Sequence, residues 1–294
     1  VSNLTTISAE VILDSLLDNE RVVTFKLYSP VFIDAEIEKH GNLATNTSSA
    51  RAIGYPFTKL QGNDPFIPTR FTKATNTMHG DSFVDDAVAD DLEHVLTELF
   101  EHIQDKLEPF KSIVHKQHLN RYLSPFALQT KIMTANYDAI VAFINARIKQ
   151  ADPSITELSR CMMRALIESE SGIRSEHIPF VSDVEGSDDM GLTELGKILW
   201  SAGAVAKVSY HHQIEIESPR QSITRANQLV ELNHKSPFEH QIFAATHRFD
   251  KDTIPNSTWN GWTHSNNSGI RFSGRMRECI QARKLFWSGL LTDR

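Results

Sequence analysis

Only two cysteines, Cys161 and Cys279, occur in 294 residues, so the chain has no disulfide framework and no C-x-x-C pair for redox or zinc chemistry. No apolar run approaches the roughly 18–20 residues of a membrane span. The opening Val1-Ser2-Asn3-Leu4 lacks the basic and apolar regions of a secretory signal, and the expectation is a cytoplasmic, reducing location. Charge of neither sign dominates. A net charge of −7 and a pI near 6.0 argue against binding a nucleic acid polymer or an anionic membrane, although one basic pocket for a small phosphate ester is compatible with both. There is no P-loop, no G-x-G-x-x-G, no G-x-S-x-G, no repeat and no low-complexity tract. His234 and His240, or His211-His212, might suggest a metal, but no Cys/Asp/Glu set stands near them at a zinc spacing, so none is expected.

What is present is ordinary globular material, 40% hydrophobic and 23% charged, with length enough for a substantial core. Arg21 to Tyr28 is rich in β-branched and aromatic residues and reads as a strand that Ser29-Pro30 ends. Val31 to His40 reads as a helix, and Tyr55 to Gly80, with three prolines, as an irregular loop. From Asp85 to Leu107 the residues Val88, Leu92, Val95, Leu96, Leu99, Ile103 and Leu107 recur at three- and four-residue steps, the pattern of an amphipathic helix. Further helices are expected near 112–123, 136–149, 154–169, 192–203 and 219–234, with Pro153 at the start of one. Ala204–Tyr210 and His240–Thr246 look strand-like. Ser175 to Gly191, holding Glu176, Asp183, Glu185, Asp188 and Asp189, reads as a solvated acidic loop. Helices with a modest sheet make α+β the expected class, as a single unit over 1–294 with a possible two-lobe division near 170–192.

The most informative stretch is Lys39-His40-Gly41-Asn42-Leu43-Ala44-Thr45-Asn46-Thr47-Ser48-Ser49-Ala50-Arg51-Ala52. It opens with a cation and an imidazole and closes on a hydroxyl-rich run ending in arginine. Backbone N–H groups, hydroxyls and a guanidinium in such a run can surround one phosphate. The stretch resembles the signature of flavin-dependent thymidylate synthases, R-H-R-x-x-S-x-N-x-x-S-x-R-Y. His40, Asn46, Ser49 and Arg51 match it; Lys39, Gly41, Ala44 and Ala52 replace its other fixed positions.

The resemblance extends along the chain. Ser29-Pro30-Val31-Phe32 resembles the entry to the signature helix, Asn120-Arg121-Tyr122-Leu123-Ser124-Pro125 the family's A-R-x-x-L-P, and Phe143-Ile144-Asn145-Ala146-Arg147 its N-F-x-x-L-R. His234-Lys235-Ser236-Pro237-Phe238-Glu239-His240 is close to H-x-[ST]-P-F-E-H, and Ala206-Lys207-Val208-Ser209-Tyr210 is similar to A-R-V-S-[YF]. In ordinary members these last two precede the signature; here they follow it, which looks like a permuted, phage-like branch. The segment from Ser273 to Lys284 is similar to one in those relatives. For a phage-encoded protein the location would be the host cytoplasm.

The resemblance implies one-carbon transfer to C5 of a pyrimidine deoxynucleotide monophosphate, dUMP to dTMP. Methylenetetrahydrofolate would be the carbon donor, FAD the redox carrier and NADPH the reductant, in a homotetramer with sites across subunits. It implies Arg147 as the residue that stabilises the ionised base, a task suited to an always-charged group; no carboxylate stands four residues from it to make a helix-surface pair. Arg51 and Arg121 would hold the phosphate bidentately, with Ser48, Ser49 and Ala50 as further donors and Lys39 nearby. The alternatives are a surface arginine for Arg51 and a helix-end ion pair for Arg121. Flavin contacts fall on Lys39, His40, Gly41, Asn46, Asn136, Asp138 and Ser236. Arginine is lost at Gly41 and Asp138, and Arg275, Arg277 and Arg283 are candidates to replace those cations. Glu36 stands where the family has glutamine; it could accept from an exocyclic amine, as cytosine would require, or be an exposed helical carboxylate. Cys161, among Met162, Met163, Ala165 and Leu166, reads as core. Two other functions stay open: hydroxymethylation or another C5 modification of dUMP or dCMP, and a non-catalytic nucleotide-binding or structural relative.

Overall fold

The structure is a computed structural model and describes residues 6–58, 64–74, 82–150, 152–182, 184, 191–210, 218–244, 264–265 and 271–287. Strands β1 (Ser8–Leu17) and β2 (Glu20–Pro30) form an antiparallel hairpin whose turn places Asp18 at φ 53°, a left-handed conformation that aspartate tolerates. β3 (Ala44–Thr47) lies against β4 (Leu128–Asn136), β4 against β2, and β5 (Gly172–Arg174) runs parallel to β1. The order is β3-β4-β2-β1-β5, with β4 buried along its whole length.

Strand side chains alternate between faces, and the two faces carry different chemistry. On one, Val23, Phe25, Leu27, Met133 and Ala135 pack against Ile140 and Phe143 of α4 (Tyr137–Arg147) and against Ile155, Leu158 and Met162 of α5 (Pro153–Glu168). Asp152 caps α5 by accepting from the Ser154 and Ile155 amides, with Pro153 at its first position as expected. At the end of that face Lys131, fully buried, pairs with Asp34 at 2.7 Å and with Glu38; both carboxylates belong to α1 (Asp34–Glu38).

On the opposite face Ile132 meets Val205 and Val208 at the end of α6 (Glu194–Lys207), and Val22 and Ala44 meet a second sheet. That sheet is built from β6 (Glu176–His177), β7 (Ile242–Ala244) and β11 (Cys279–Gln281), in the order β11-β7-β6. Between β7 and β11, strands β8 (His264–Ser265), β9 (Arg271–Ser273) and β10 (Met276–Arg277) form a third small sheet. Gly274 turns β9 into β10 at φ +64°, a conformation open to glycine. α6 pairs with α7 (Pro219–Glu231) so closely that a Cβ on Gly203 would overlap the Ser222 carbonyl. The chain continues from β11 into α8 (Ala282–Trp287).

The α+β class is as expected, and so are the strand at 21–28, the helices near 136–149, 154–169 and 219–234, and α2 (Asp86–Leu107). The helix expected near 112–123 is α3 (Lys116–Leu123). Two local expectations need correction. Ala204–Tyr210 is not a strand: α6 runs on to Lys207 because Ala202, Gly203, Ala204 and Ala206 are small enough for close helix packing, and 208–210 form a turn. Glu176 and His177 are a strand rather than acidic loop, while Asp183, Glu185, Asp188 and Asp189 lie outside the described residues. The periodic helix α2 buries Phe100 but leaves Val88, Leu92, Val95 and Leu99 exposed.

Candidate functional site

Residues that the sequence singled out, up to 194 positions apart, meet in four groups around the 36–52 segment. The first lies where α1 faces the end of α4. Arg147 reaches back to donate from Nε to His40 Nε2 at 3.2 Å and from a terminal nitrogen to the Glu36 carbonyl at 3.2 Å, and it pairs with the Glu36 carboxylate at 2.5 Å. Lys39 pairs with the other Glu36 oxygen at 2.9 Å, and the His40 ring stands edge-on to Phe143 at 5.0 Å. The Lys39 hydrogen bond and Arg147 hold Glu36 below the usual carboxylate range against the opposing effect of burial. Burial, then the charge of Arg147, lowers the His40 pKa, so the imidazole is neutral and takes the arginine proton as an acceptor.

The second group joins the signature to the S-P-F-E-H element. The Asn46 carboxamide has one edge toward Thr45 O at 3.1 Å, Ser236 O at 3.3 Å and His240 Nε2 at 3.2 Å. Two backbone carbonyls can only be faced by a donor, so that edge is the NH₂. The other edge lies 3.5 Å from the exposed Ser236 hydroxyl. His240 is fully buried, and burial holds its pKa down to about 3.

The third group gathers Asn136, Asp138 and Arg277. The Asn136 carboxamide donates to Glu20 at 3.1 Å and accepts from the Arg277 amide at 3.0 Å. The Arg277 guanidinium is forked onto Glu20 at 2.8 and 3.0 Å and pairs with Asp138 at 2.9 Å. Beside it Arg283 pairs with Glu239, and Arg275 donates to the Leu43 carbonyl and stands 3.8 Å from Glu239. The cations proposed from sequence for a pyrophosphate are therefore held by carboxylates of their own chain. Gly41 has open space where a side chain would stand. Within one subunit these residues do not fit a dinucleotide pyrophosphate.

The fourth group is the hydroxyl-rich run. Ser48 is buried, donating to the Thr130 carbonyl at 3.3 Å and accepting from its amide at 3.1 Å, which makes it a clamp between β3 and β4. Ser49 turns the chain: its amide donates to Ser209 O, its hydroxyl accepts from the Arg51 amide at 3.3 Å, and its carbonyl takes Ala52 and Ile53. Asn120 ties the turn to α3 by donating to Ala50 O at 3.0 Å and Gly54 O at 3.2 Å, and Lys116 donates to Ala52 O at 2.8 Å. Arg51 and Arg121 are both exposed.

Both thiols are buried; burial pushes Cys161 up and pushes Cys279 up further, so neither is a thiolate. No group of three metal-ligating side chains occurs among the described residues, and His211-His212 lie outside them. No described helix is long and apolar enough to cross a membrane. Sequence reasoning missed Lys131, His177, Thr24 and Thr134, all buried polar residues. Lys131, Thr24 and Thr134 carried no local signal, because a polar residue within a strand does not show by its spacing that a distant partner buries it.

No protein-family model and no curated protein matches this chain. Among the solved structures similar to it are two of the UMP/dUMP methylase PolB from Streptomyces cacaoi. The form bound with 5-Br dUMP has 13% identity and a TM-score of 0.45, over 55% of this chain and 90% of that one. The form bound with 5-Br UMP has 16% identity and a TM-score of 0.46, over 55% and 89%.

Proposed function

We propose that this chain transfers a one-carbon unit to C5 of a pyrimidine deoxynucleotide monophosphate, dUMP to dTMP in the first instance, with methylenetetrahydrofolate as carbon donor. The observation that carries the reading is the meeting of its motif segments. Arg147 touches His40 and Glu36, His240 and Ser236 touch Asn46, Ser209 touches Ser49, and Asn120 touches Ala50. Each contact joins the signature stretch, or the helix leading into it, to a segment that resembles the flavin-dependent thymidylate synthases independently.

In this reading Arg147 binds the O2 or N3 edge of the base, where negative charge develops, and Glu36 and His40 hold its guanidinium in place. Arg51 and Arg121 bind the phosphate, with the Ser49 turn shaping the loop between them. FAD and NADPH follow from the resemblance. Lys39, His40, Asn46 and Ser236 would face the flavin from this subunit, and the cations for its pyrophosphate would come from a neighbouring copy, in keeping with the homotetramer the resemblance implies.

The Glu36–Arg147 pair also supports a second reading, on dCMP. A carboxylate beside a guanidinium offers an acceptor next to a donor, which matches the amine and N3 of cytosine. Incubation with dUMP or dCMP, methylenetetrahydrofolate, FAD and NADPH, followed by mass spectrometry, tests both. A methylated uracil nucleotide supports the first reading and a modified cytosine nucleotide the second. Consumption of neither overturns the enzymatic reading.

A further inference from the structure

A hydrogen-bonded chain of side chains crosses the interior between the five-stranded sheet and the β11-β7-β6 sheet. Ser15 Oγ lies 2.9 Å from His177 Nδ1, and His177 Nε2 lies 2.7 Å from Thr24 Oγ1. Thr24 Oγ1 is 2.6 Å from Thr134 Oγ1, which is 2.8 Å from His240 Nδ1. His240 Nε2 then meets Asn46. Ser15, Thr24, Thr134, His177 and His240 are each fully buried, and they come from β1, β2, β4, β6 and the turn before β7.

Each threonine hydroxyl in such a chain gives one proton and takes one, so a direction fixed at one end is fixed throughout. Asn46 fixes it. Its NH₂ faces Thr45 O, Ser236 O and His240 Nε2 together, so a protonated Nε2 would meet another donor and His240 Nε2 is the bare, accepting nitrogen. His240 must then carry its proton on Nδ1 and donate to Thr134, Thr134 donates to Thr24, and Thr24 to His177 Nε2. His177 in turn donates from Nδ1 to Ser15. Both histidines are neutral Nδ1–H tautomers. Reversing any link requires reversing all of them.

We propose that this relay and the two backbone carbonyls together hold the Asn46 carboxamide with Oδ1 turned outward beside the Ser236 hydroxyl, so that the two side chains offer an acceptor next to a donor to the imide edge of a heterocycle. An imide N–H donates to Asn46 Oδ1 while a neighbouring carbonyl accepts from Ser236. Uracil and the flavin ring share that edge, and this assignment of a ligand rests on the function proposed above. Thr24, Thr134, His177 and Ser15 are positioning residues; they act on the ligand only through Asn46.

The test is the tautomer of each buried histidine, read from long-range ¹⁵N–¹H correlation spectra of the full chain labelled at histidine nitrogen. In the unmodified protein both His177 and His240 are expected to show a protonated Nδ1 and a bare Nε2; a protonated Nε2 at either overturns the relay, and this measurement needs no variant. In Asn46→Asp the donor at the outer end becomes an acceptor, and both histidines are expected to switch to Nε2–H. Adding Thr24→Val should leave the switch at His240 and abolish it at His177. A His177 that ignores Asn46→Asp shows that the links are independent and overturns the proposal.

Titration with dUMP and, separately, with FAD distinguishes the two ligands. Thr134→Val is expected to weaken one of them about tenfold, as the loss of one positioned hydrogen bond would, and to leave the other unchanged. Unchanged affinity for both overturns the imide assignment. Failure of the unmodified chain to bind either counts against the proposed function and the imide assignment, while the tautomers still decide the relay.

Discussion

Arg147 shows how much a single side chain's surroundings decide. Its guanidinium is held at three points by Glu36 and His40, so its plane is fixed before any ligand arrives. Lysine would keep the charge and lose the fork. We expect Arg147→Lys to lower kcat by roughly 10²-fold, the order found when one preorganised donor to developing negative charge is removed, with little change in the dUMP Kd measured by calorimetry. Arg51 and Arg121 belong to the opposite case, exposed and open to a dianion. Alanine at either should leave folding intact and weaken dUMP binding by about 10–100-fold, the loss of one charge-assisted contact; equal affinity in both variants would remove the phosphate from this loop.

At the scale of strands and helices, the motif residues were legible in sequence and the frame that holds them was only partly so. Helix α2 announced itself by apolar residues recurring at helical spacing, and α5 by Pro153 at its start. β4 did not. Gln129, Lys131 and Thr134 make it look polar, yet all are buried, because each side chain has a partner elsewhere in the chain: Asp34, Glu38 and His240. A strand whose polar residues are satisfied by tertiary contacts carries neither alternation nor a hydrophobic run, the two signals that sequence reading relies on. The same reasoning explains Ser48, which sequence patterning places at a phosphate and the fold uses to join two strands.

Lys131 gives this scale a stability test. Lys131→Met is expected to destabilise the fold by about 1–3 kcal/mol in urea unfolding, less than the cost of breaking a fully buried pair because Asp34 and Glu38 keep contact with water. The interlayer histidines give a pH test. Burial holds both His177 and His240 near a pKa of about 3, against 6.5 in the unfolded chain, so unfolding takes up protons between those values. Their contribution is fully present above about pH 6.5 and is lost as pH falls toward 3. Urea midpoints should therefore drop from pH 7 to pH 4.5, with a slope of up to about 1.4 kcal/mol per pH unit for each histidine. His177→Gln should flatten that slope, and an unchanged slope would place the titration elsewhere.

For the whole molecule, the proposed function would place an incomplete cofactor site beside a more complete nucleotide site on one chain. Arg277 and Arg283 serve the fold through Glu20, Asp138 and Glu239, and their exchange for alanine should cost stability before it costs ligand binding. A homotetramer would also give a use to the exposed Val88, Leu92, Val95 and Leu99 stripe of α2. Leu92→Glu with Leu99→Glu is expected to lower the assembly state by light scattering and, with it, flavin occupancy. A yellow, fully loaded monomer would contradict the shared-site reading.

The central claim is a chemical one, that carbon is added at C5 of a pyrimidine deoxynucleotide. Mass spectrometry of dUMP after incubation with the protein, methylenetetrahydrofolate, FAD and NADPH tests it most directly. The expected product is heavier by CH₂, a methyl group in place of the C5 hydrogen, and forms roughly 10²-fold more slowly in Arg147→Lys. Unmodified dUMP and dCMP, from protein shown to be folded and to hold its flavin, would contradict it.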